Sequence, residues 1–66
     1  MTVIVNGTVR EFDHEMSVAE LLRTLDIKLD AIAVAVNASV VHRQDLSRTM
    51  LRDGDAVEII RAVAGG

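Results

Sequence analysis

The sequence predicts a two-layer α+β domain, in which a mixed sheet of four to five strands is covered on one face by one helix. The chain has 66 residues, which is room for a single domain. Apolar residues recur at helical spacing in one segment, whereas the other apolar segments are short and rich in β-branched residues. One helix with one apolar stripe can cover one face of one sheet, and this predicts the two layers.

The chain opens with a predicted β-hairpin. Residues 2–5 read Thr-Val-Ile-Val, and Thr8–Phe12 follows as the returning strand. Asn6-Gly7 stands between them, and this dipeptide favours a type I′ turn because both residues tolerate a positive φ. We expect Val9 and Phe12 to turn toward the core.

A helix start follows the hairpin. Ser17 can cap the helix while Glu20 reaches back to complete a capping box, and Met16 and Leu21 stand at the positions of a hydrophobic staple. We expect the helix to end near residue 26 or 27. The apolar stripe that faces the sheet consists of Val18, Leu21, Leu22 and Leu25.

Three further strands are predicted, at residues 31–36, 40–41 and 56–61. The first of them is apolar at every position, with the larger residues on one side and Ala33 and Ala35 on the other. Before the last strand, residues 53–55 read Asp-Gly-Asp, which indicates a tight turn. In the irregular or briefly helical stretch that precedes this turn, we expect Leu46 and Met50 to fill the core.

The element order β-β-α-β-β-β indicates a β-grasp arrangement, in which the first and last strands lie parallel in the middle of the sheet. We predict a β-grasp domain at residues 1–61 and a flexible C-terminal diglycine tail at residues 62–66. Strand alternation leaves Ile4 and Ile60 on the outer face of the sheet, where Ala33 and Ala35 can join them. The residues expected beneath the helix are Val3, Val5, Val57 and Ile59.

The composition argues against several classes of site. Cysteine is absent, which excludes disulfides, thiolate zinc sites and a cysteine nucleophile. The net charge of −3, with scattered basic residues, argues against nucleic acid, and the longest apolar run is too short for a membrane span. His14 and His42 lack the spacing of metal ligands. We expect a cytoplasmic protein without a signal peptide, catalytic residues or a bound cofactor or metal, and with no nucleic-acid or membrane partner.

The chain ends in Ala64-Gly65-Gly66, with no charged side chain after Arg61. Glycine has no Cβ, so this end can enter a channel too narrow for other residues. Five extended residues reach about 17 Å, and the Gly66 carboxylate is ionised at neutral pH and able to attack phosphorus. Gly66 is thus either a handle for another enzyme or an ordinary frayed terminus. These residues alone favour the frayed terminus.

An ordered set of motifs changes that balance. They are Val5-Asn6-Gly7, the helix opening at 17–22, the strand and turn at 33–37, the segment 51–59 and the terminal Ala64-Gly65-Gly66. Together they resemble the ubiquitin-like sulfur carriers, and most closely the ThiS family of thiamine biosynthesis. The resemblance extends over essentially the whole chain, and with it we favour the handle interpretation of Gly66.

The resemblance implies a carrier protein on which partner enzymes act. A ThiF-type adenylyltransferase would use ATP and magnesium to convert the Gly66 carboxylate to an acyl-adenylate. A persulfide sulfur donor would then displace AMP to leave a thiocarboxylate, and thiazole synthase would accept the sulfur. Ala64 and Gly65 would thread the partner's active site. The resemblance also suggests a docking face with Ile4 and Ile60, and Arg61 beside the tail is a further candidate contact.

Three alternatives stay open. The small subunit of molybdopterin synthase shares the fold and the thiocarboxylate, but this chain is shorter than that family usually runs and lacks the proline-containing segment often found before its final glycines. A ubiquitin-like modifier would instead join Gly66 to a lysine amine of a target protein. In a plain interaction domain the tail would have no chemistry.

Overall fold

The computed structural model describes residues 1–61 as five strands, one α-helix and one short 3-10 helix. The sheet order is β2-β1-β5-β3-β4, as predicted for a β-grasp. β1 and β5 are parallel neighbours in its middle, and the other neighbouring strands are antiparallel. The elements are β1 (Thr2–Val5), β2 (Thr8–Glu11), α1 (Val18–Thr24), β3 (Ile32–Val36), β4 (Ser39–Val41), the 3-10 helix (Arg43–Asp45) and β5 (Ala56–Arg61).

The core lies between α1 and the inner face of the sheet. Helical spacing turns one apolar stripe of α1 toward the strands, and strand alternation turns every second residue of β1, β3 and β5 toward α1. Each such side chain contributes about 1.5–3 kcal/mol of hydrophobic stabilisation when it is fully buried. The buried residues are Val3, Val5, Met16, Val18, Leu21, Leu22, Val34, Leu46, Leu51 and Val57.

The helix begins where the sequence predicts, but only half of the capping box forms. Ser17 Oγ accepts a hydrogen bond from the Glu20 backbone N–H at 3.1 Å. The Glu20 side chain does not return this bond, because its Oε2 lies 3.1 Å from His14 Nε2. The other ring nitrogen of His14 lies 2.7 Å from Asp13 Oδ1. An exposed histidine therefore links the loop after β2 to the first turn of α1.

The helix ends slightly earlier than predicted, at Thr24. Asp26 adopts a left-handed φ of 58°, which takes the chain out of the helix. Its N–H donates to Arg23 O at 3.0 Å, and the Ile27 N–H donates to Leu22 O at 2.8 Å. This pair of bonds is a Schellman motif with an aspartate where glycine is usual. It satisfies carbonyl groups that the helix end would otherwise leave without partners.

Two sequence-based core assignments were wrong. Val9 is 63% exposed, because it pairs with Ile4 and so shares the outer face of the sheet. Phe12 is half-buried against the core, as expected. Met50 is 54% exposed, and Leu51 is fully buried in its place. Residue 50 bridges to Ser17 in an extended conformation, so its neighbour, rather than Met50, points inward.

The pair Met50 and Leu51 provides a direct stability test of this core. Leu51→Ala should lower the free energy of unfolding by about 2–5 kcal/mol, since it leaves a cavity, whereas Met50→Ala should change it by no more than about 0.5 kcal/mol. Denaturant unfolding followed by far-UV circular dichroism measures both, as the chain has no Trp or Tyr. An equal loss in the two variants would contradict the assignment.

The histidine link predicts a pH dependence. Hydrogen bonds to Glu20 and then Asp13 raise the pKa of His14 above its usual value. Its contribution to stability is therefore complete below the pKa of the unfolded state and is lost as pH rises through the raised pKa of the folded state. Glu20→Gln should lower the pKa of His14, measured by NMR titration of the imidazole, while the control Glu58→Gln should not. An unchanged midpoint in Glu20→Gln would refute the link.

Candidate functional site at the end of the last strand

β5, the last strand of the described residues, leads from the centre of the sheet toward the C-terminus. β5 lies between β1 and β3, and Arg61, the last described residue, is still paired with Ile32. The predicted handle, Gly66, and the predicted threading residues Ala64 and Gly65 lie outside the described residues. The structure thus describes the strand from which they follow.

On the side of β1, the turn residue Asn6 continues the pairing with β5. Its backbone N–H donates to Val57 O at 2.9 Å. Its side chain then bonds twice to the backbone of Ile59: Oδ1 accepts from the N–H at 2.8 Å, and Nδ2 donates to the carbonyl oxygen at 3.2 Å. Asn6 and Gly7 adopt φ values of 48° and 82°, as the predicted turn requires. The side-chain contact was not predicted, since it joins residues that are 53 positions apart.

The outer face of the sheet carries the two apolar residues predicted for docking. Ile4 is half-buried and lies in one row with Val9 and Ala56, its partners in β2 and β5. Ile60 is 58% exposed and pairs with Ala33. Because four residue positions along β5 separate the rows of Ile4 and Ile60, they are about 13 Å apart along the strands. Ile4 and Ile60 share a face but are too far apart to touch each other.

A mixed row lies between these two apolar rows. Ala35 is at its centre, paired with the exposed Glu58 of β5 and with the exposed Val40 of β4. The outer face therefore has apolar groups at both ends and a carboxylate in its middle row. Such a surface offers a partner both apolar contact and a charge that fixes its orientation.

Arg61 lies on the opposite side of the sheet from Ile60. It pairs with Ile32, a residue packed against the core, so its side chain shares the inner face. There it borders an open cleft of about 650 Å³ between the end of α1 and the sheet. Among the described residues that line the cleft, Arg10 is a second cation and none carries a carboxylate. The residues that line the cleft are Val5, Asn6, Thr8, Arg10, Thr24, Leu25, Ile27, Ile59 and Arg61.

Within residues 1–61, no group of three or more His, Cys, Asp or Glu side chains is arranged to hold a metal ion. His14 is engaged by Asp13 and Glu20, and His42 is exposed. No helix in this part of the chain has the length and apolar character needed to cross a membrane. The structural features that remain as a candidate site are the end of β5 and the surfaces on its two sides.

Comparisons with known proteins identify the family. The ThiS family profile matches residues 3–66. Over 66 residues the chain is 29% identical to the sulfur carrier protein ThiS of Escherichia coli (strain K12), and the alignment covers both chains in full. It is 32% identical over 66 residues to a thiazole synthase of Paramagnetospirillum magneticum, where it covers all of this chain but spans 20% of that protein.

A solved structure agrees with the fold. The crystal structure of the thiamine biosynthesis protein ThiS from Geobacter metallireducens matches with a TM-score of 0.88 and 33% sequence identity, and both chains are covered in full. The predicted β-grasp is thereby confirmed. From the family profile and these full-length matches, we conclude that the chain belongs to the ThiS family of sulfur carrier proteins.

Proposed function

We propose that this protein carries sulfur for thiamine thiazole synthesis as a thiocarboxylate on Gly66. The observation that carries the proposal is the extent of the family match, which runs to the terminal Gly66. The end of β5 supports it, since the central strand of the sheet leads directly into the tail. The protein is a carrier on which partner enzymes act, and the setting is the cytoplasm.

The chemistry proceeds in two stages on one carboxylate. A ThiF-type adenylyltransferase, supplied with ATP and magnesium, catalyses attack of the Gly66 carboxylate on the α-phosphate, which releases pyrophosphate and leaves an acyl-adenylate. The terminal sulfur of a persulfide then attacks the Gly66 carbonyl and expels AMP. A thiol reduces the acyl disulfide formed in this step, and the thiocarboxylate remains. The carboxylate of Gly66 is the only nucleophile that the chain supplies in these steps, so no side-chain nucleophile is needed, and the chain contains no cysteine.

The proposed acceptor of the sulfur is thiazole synthase. One of the similar proteins is itself named a thiazole synthase, and this chain matches a segment equal to 20% of its length. That organism therefore has a domain similar to this chain within the polypeptide of its thiazole synthase. This observation favours the thiamine pathway over molybdopterin synthesis for the chain described here.

The outer face is the proposed docking surface for these partners. A partner that contacts Ile4 and Ile60 would hold the sheet on the face that α1 leaves uncovered, with Ile60 six residues before Gly66. Arg61, on the other face of the same strand, is a proposed second contact near the tail. Ala64 and Gly65 would then extend into the active site, where their small size lets the backbone approach closely.

Intact-mass spectrometry tests the proposal. The protein is incubated with the adenylyltransferase, ATP, magnesium, a persulfide and a thiol. The expected product has gained the mass difference between sulfur and oxygen, with the change located at Gly66. A larger adduct on a lysine of another protein would favour a ubiquitin-like modifier, and an unchanged mass with an active partner would refute the carrier function. Copurification with the large subunit of molybdopterin synthase, rather than thiazole synthase, would favour that pathway.

Changing the length of the tail should abolish activation without affecting the fold. Deleting Gly66 or adding one residue after it displaces the carboxylate by about 3.3–3.6 Å, which is enough to remove it from the reacting geometry. Adenylation, measured as pyrophosphate release, should fall to background in both variants while the circular dichroism spectrum stays that of the parent. Sulfur loading of the lengthened variant would contradict the mechanism.

Replacing Ile60 with Asp should weaken docking. The substitution places a charge in an apolar contact, and we expect the dissociation constant for the adenylyltransferase to rise about tenfold or more, as measured by calorimetry. Met50→Asp is the matched control, because Met50 has a similar exposure but lies outside the sheet. Equal binding by both variants would show that Ile60 is not part of the docking surface. Unfolding of Ile60→Asp would show that Ile60 belongs to the core.

A further inference from the structure

We propose that Asn6 is a positioning residue that sets the direction in which β5 delivers the C-terminal tail to the activating enzyme. The inference rests on the proposed function, because it assigns a role to Asn6 in the activation of Gly66. No contact of Asn6 with the reacting carboxylate or with ATP is proposed. It acts through Ile59, which lies seven residues before Gly66.

The Asn6 side chain makes a hydrogen bond to β5 that the backbone of β1 would make if the strand continued. In a parallel ladder, a residue that donates its N–H to one neighbour accepts, through its own carbonyl, from the residue two positions further along. Asn6 donates to Val57 O, so its carbonyl would be expected to accept from the Ile59 N–H. The left-handed turn at Asn6 and Gly7 redirects the backbone into β2. The side-chain Oδ1 accepts from Ile59 instead, at 2.8 Å, and Nδ2 returns a bond to the Ile59 carbonyl.

The side-chain bonds of Asn6 matter because β5 continues beyond the end of its pairing with β1. The register of the two strands ends at Val5 with Val57, whereas the register of β5 with β3 continues to Arg61. The last four residues of β5 therefore have backbone partners on the side of β3, and on the side of β1 the hydrogen bonds in the described chain come from Asn6 to Ile59. A segment held along one edge can rotate about that edge. The two bonds from Asn6 restrict this rotation.

The direction of β5 becomes important when a partner holds the outer face. The docked face and the entrance to the partner's active site then have fixed relative positions. Rotation of β5 at Ile59 would move the start of the tail relative to that entrance. Misplacement by about 1 Å can cost about a hundredfold in rate. We therefore expect loss of the Asn6 bonds to impair the chemical step more than docking.

Asn37 provides a matched control at the other end of the same strand. It also adopts a left-handed φ, 50°, in a turn. Its Oδ1 accepts from the Ala56 N–H at 3.0 Å, and its Nδ2 donates to Asp55 Oδ1 at 3.0 Å. Each asparagine thus accepts a hydrogen bond from a backbone N–H of β5, Asn37 at its start and Asn6 near its end, whereas the Asn37 amide donates to a side chain just before the strand. A purely structural role would make their loss equivalent for activation.

The test compares Asn6→Gly with Asn37→Gly. Glycine accepts the positive φ of either turn, so each substitution removes the side-chain amide with little new backbone strain. The kcat and KM for the carrier are measured by pyrophosphate release with the adenylyltransferase. We expect Asn6→Gly to lower kcat about tenfold to a hundredfold while KM changes less than about threefold, and Asn37→Gly to change both by less than about threefold. Amide hydrogen exchange at Ile59 should be faster in Asn6→Gly alone.

Each outcome is decisive. Equal kcat values in the two variants would overturn the positioning role, and so would a loss confined to KM in Asn6→Gly. An inactive parent protein, with an adenylyltransferase shown to be active, would instead refute the proposed function itself. If Asn6→Gly does not fold, Asn6→Asp is compared with the parent, because aspartate keeps the acceptor for the Ile59 N–H and loses the donor. A parental kcat in Asn6→Asp with normal exchange at Ile59 would then overturn the role of the paired bonds.

Discussion

The structure depends on the parallel pairing of the first and last strands. Parallel neighbours need a crossover connection, and here all the other elements of the fold lie between β1 and β5 in the sequence. The pairing places the final strand in the middle of the sheet, with one face on the core at Val57. The described residues therefore end in a strand that has a neighbour on each side. This position of β5 suits the proposed delivery of Gly66 to a partner's active site.

A domain with one helix and one sheet necessarily has an uncovered sheet face. In a chain of 66 residues there is not enough sequence for a third layer, and about 40% of the surface of the unfolded chain stays exposed. Here the uncovered face carries Ile4, Val9 and Ile60, whereas the charged cleft lies on the other side of β5. The fold thus leaves apolar surface at Ile60, near the end of β5, and the proposed docking uses it.

Local patterns predicted those features that local chemistry determines. The Asn-Gly turn, the Ser17 cap and the inward residues of β1 and β5 follow from dipeptide preference, capping and alternation. Errors arose where a distant strand sets the register. Val9 faces outward because it pairs with Ile4, and Met50 faces outward because it bridges to Ser17. The Asn6 bonds to Ile59 were also missed because they join distant strands. In addition, a turn preference already accounts for asparagine at that position.

In the proposed function, Gly66 delivers the sulfur atom of the thiazole. It is tested most directly with carrier protein that bears a heavy-isotope sulfur in a C-terminal thiocarboxylate, prepared by releasing an intein fusion with labelled sulfide. The labelled carrier is supplied to thiazole synthase together with its other substrates and unlabelled free sulfide. We expect the thiazole product to contain the label in proportion to the carrier consumed. Unlabelled thiazole from an active synthase would contradict it.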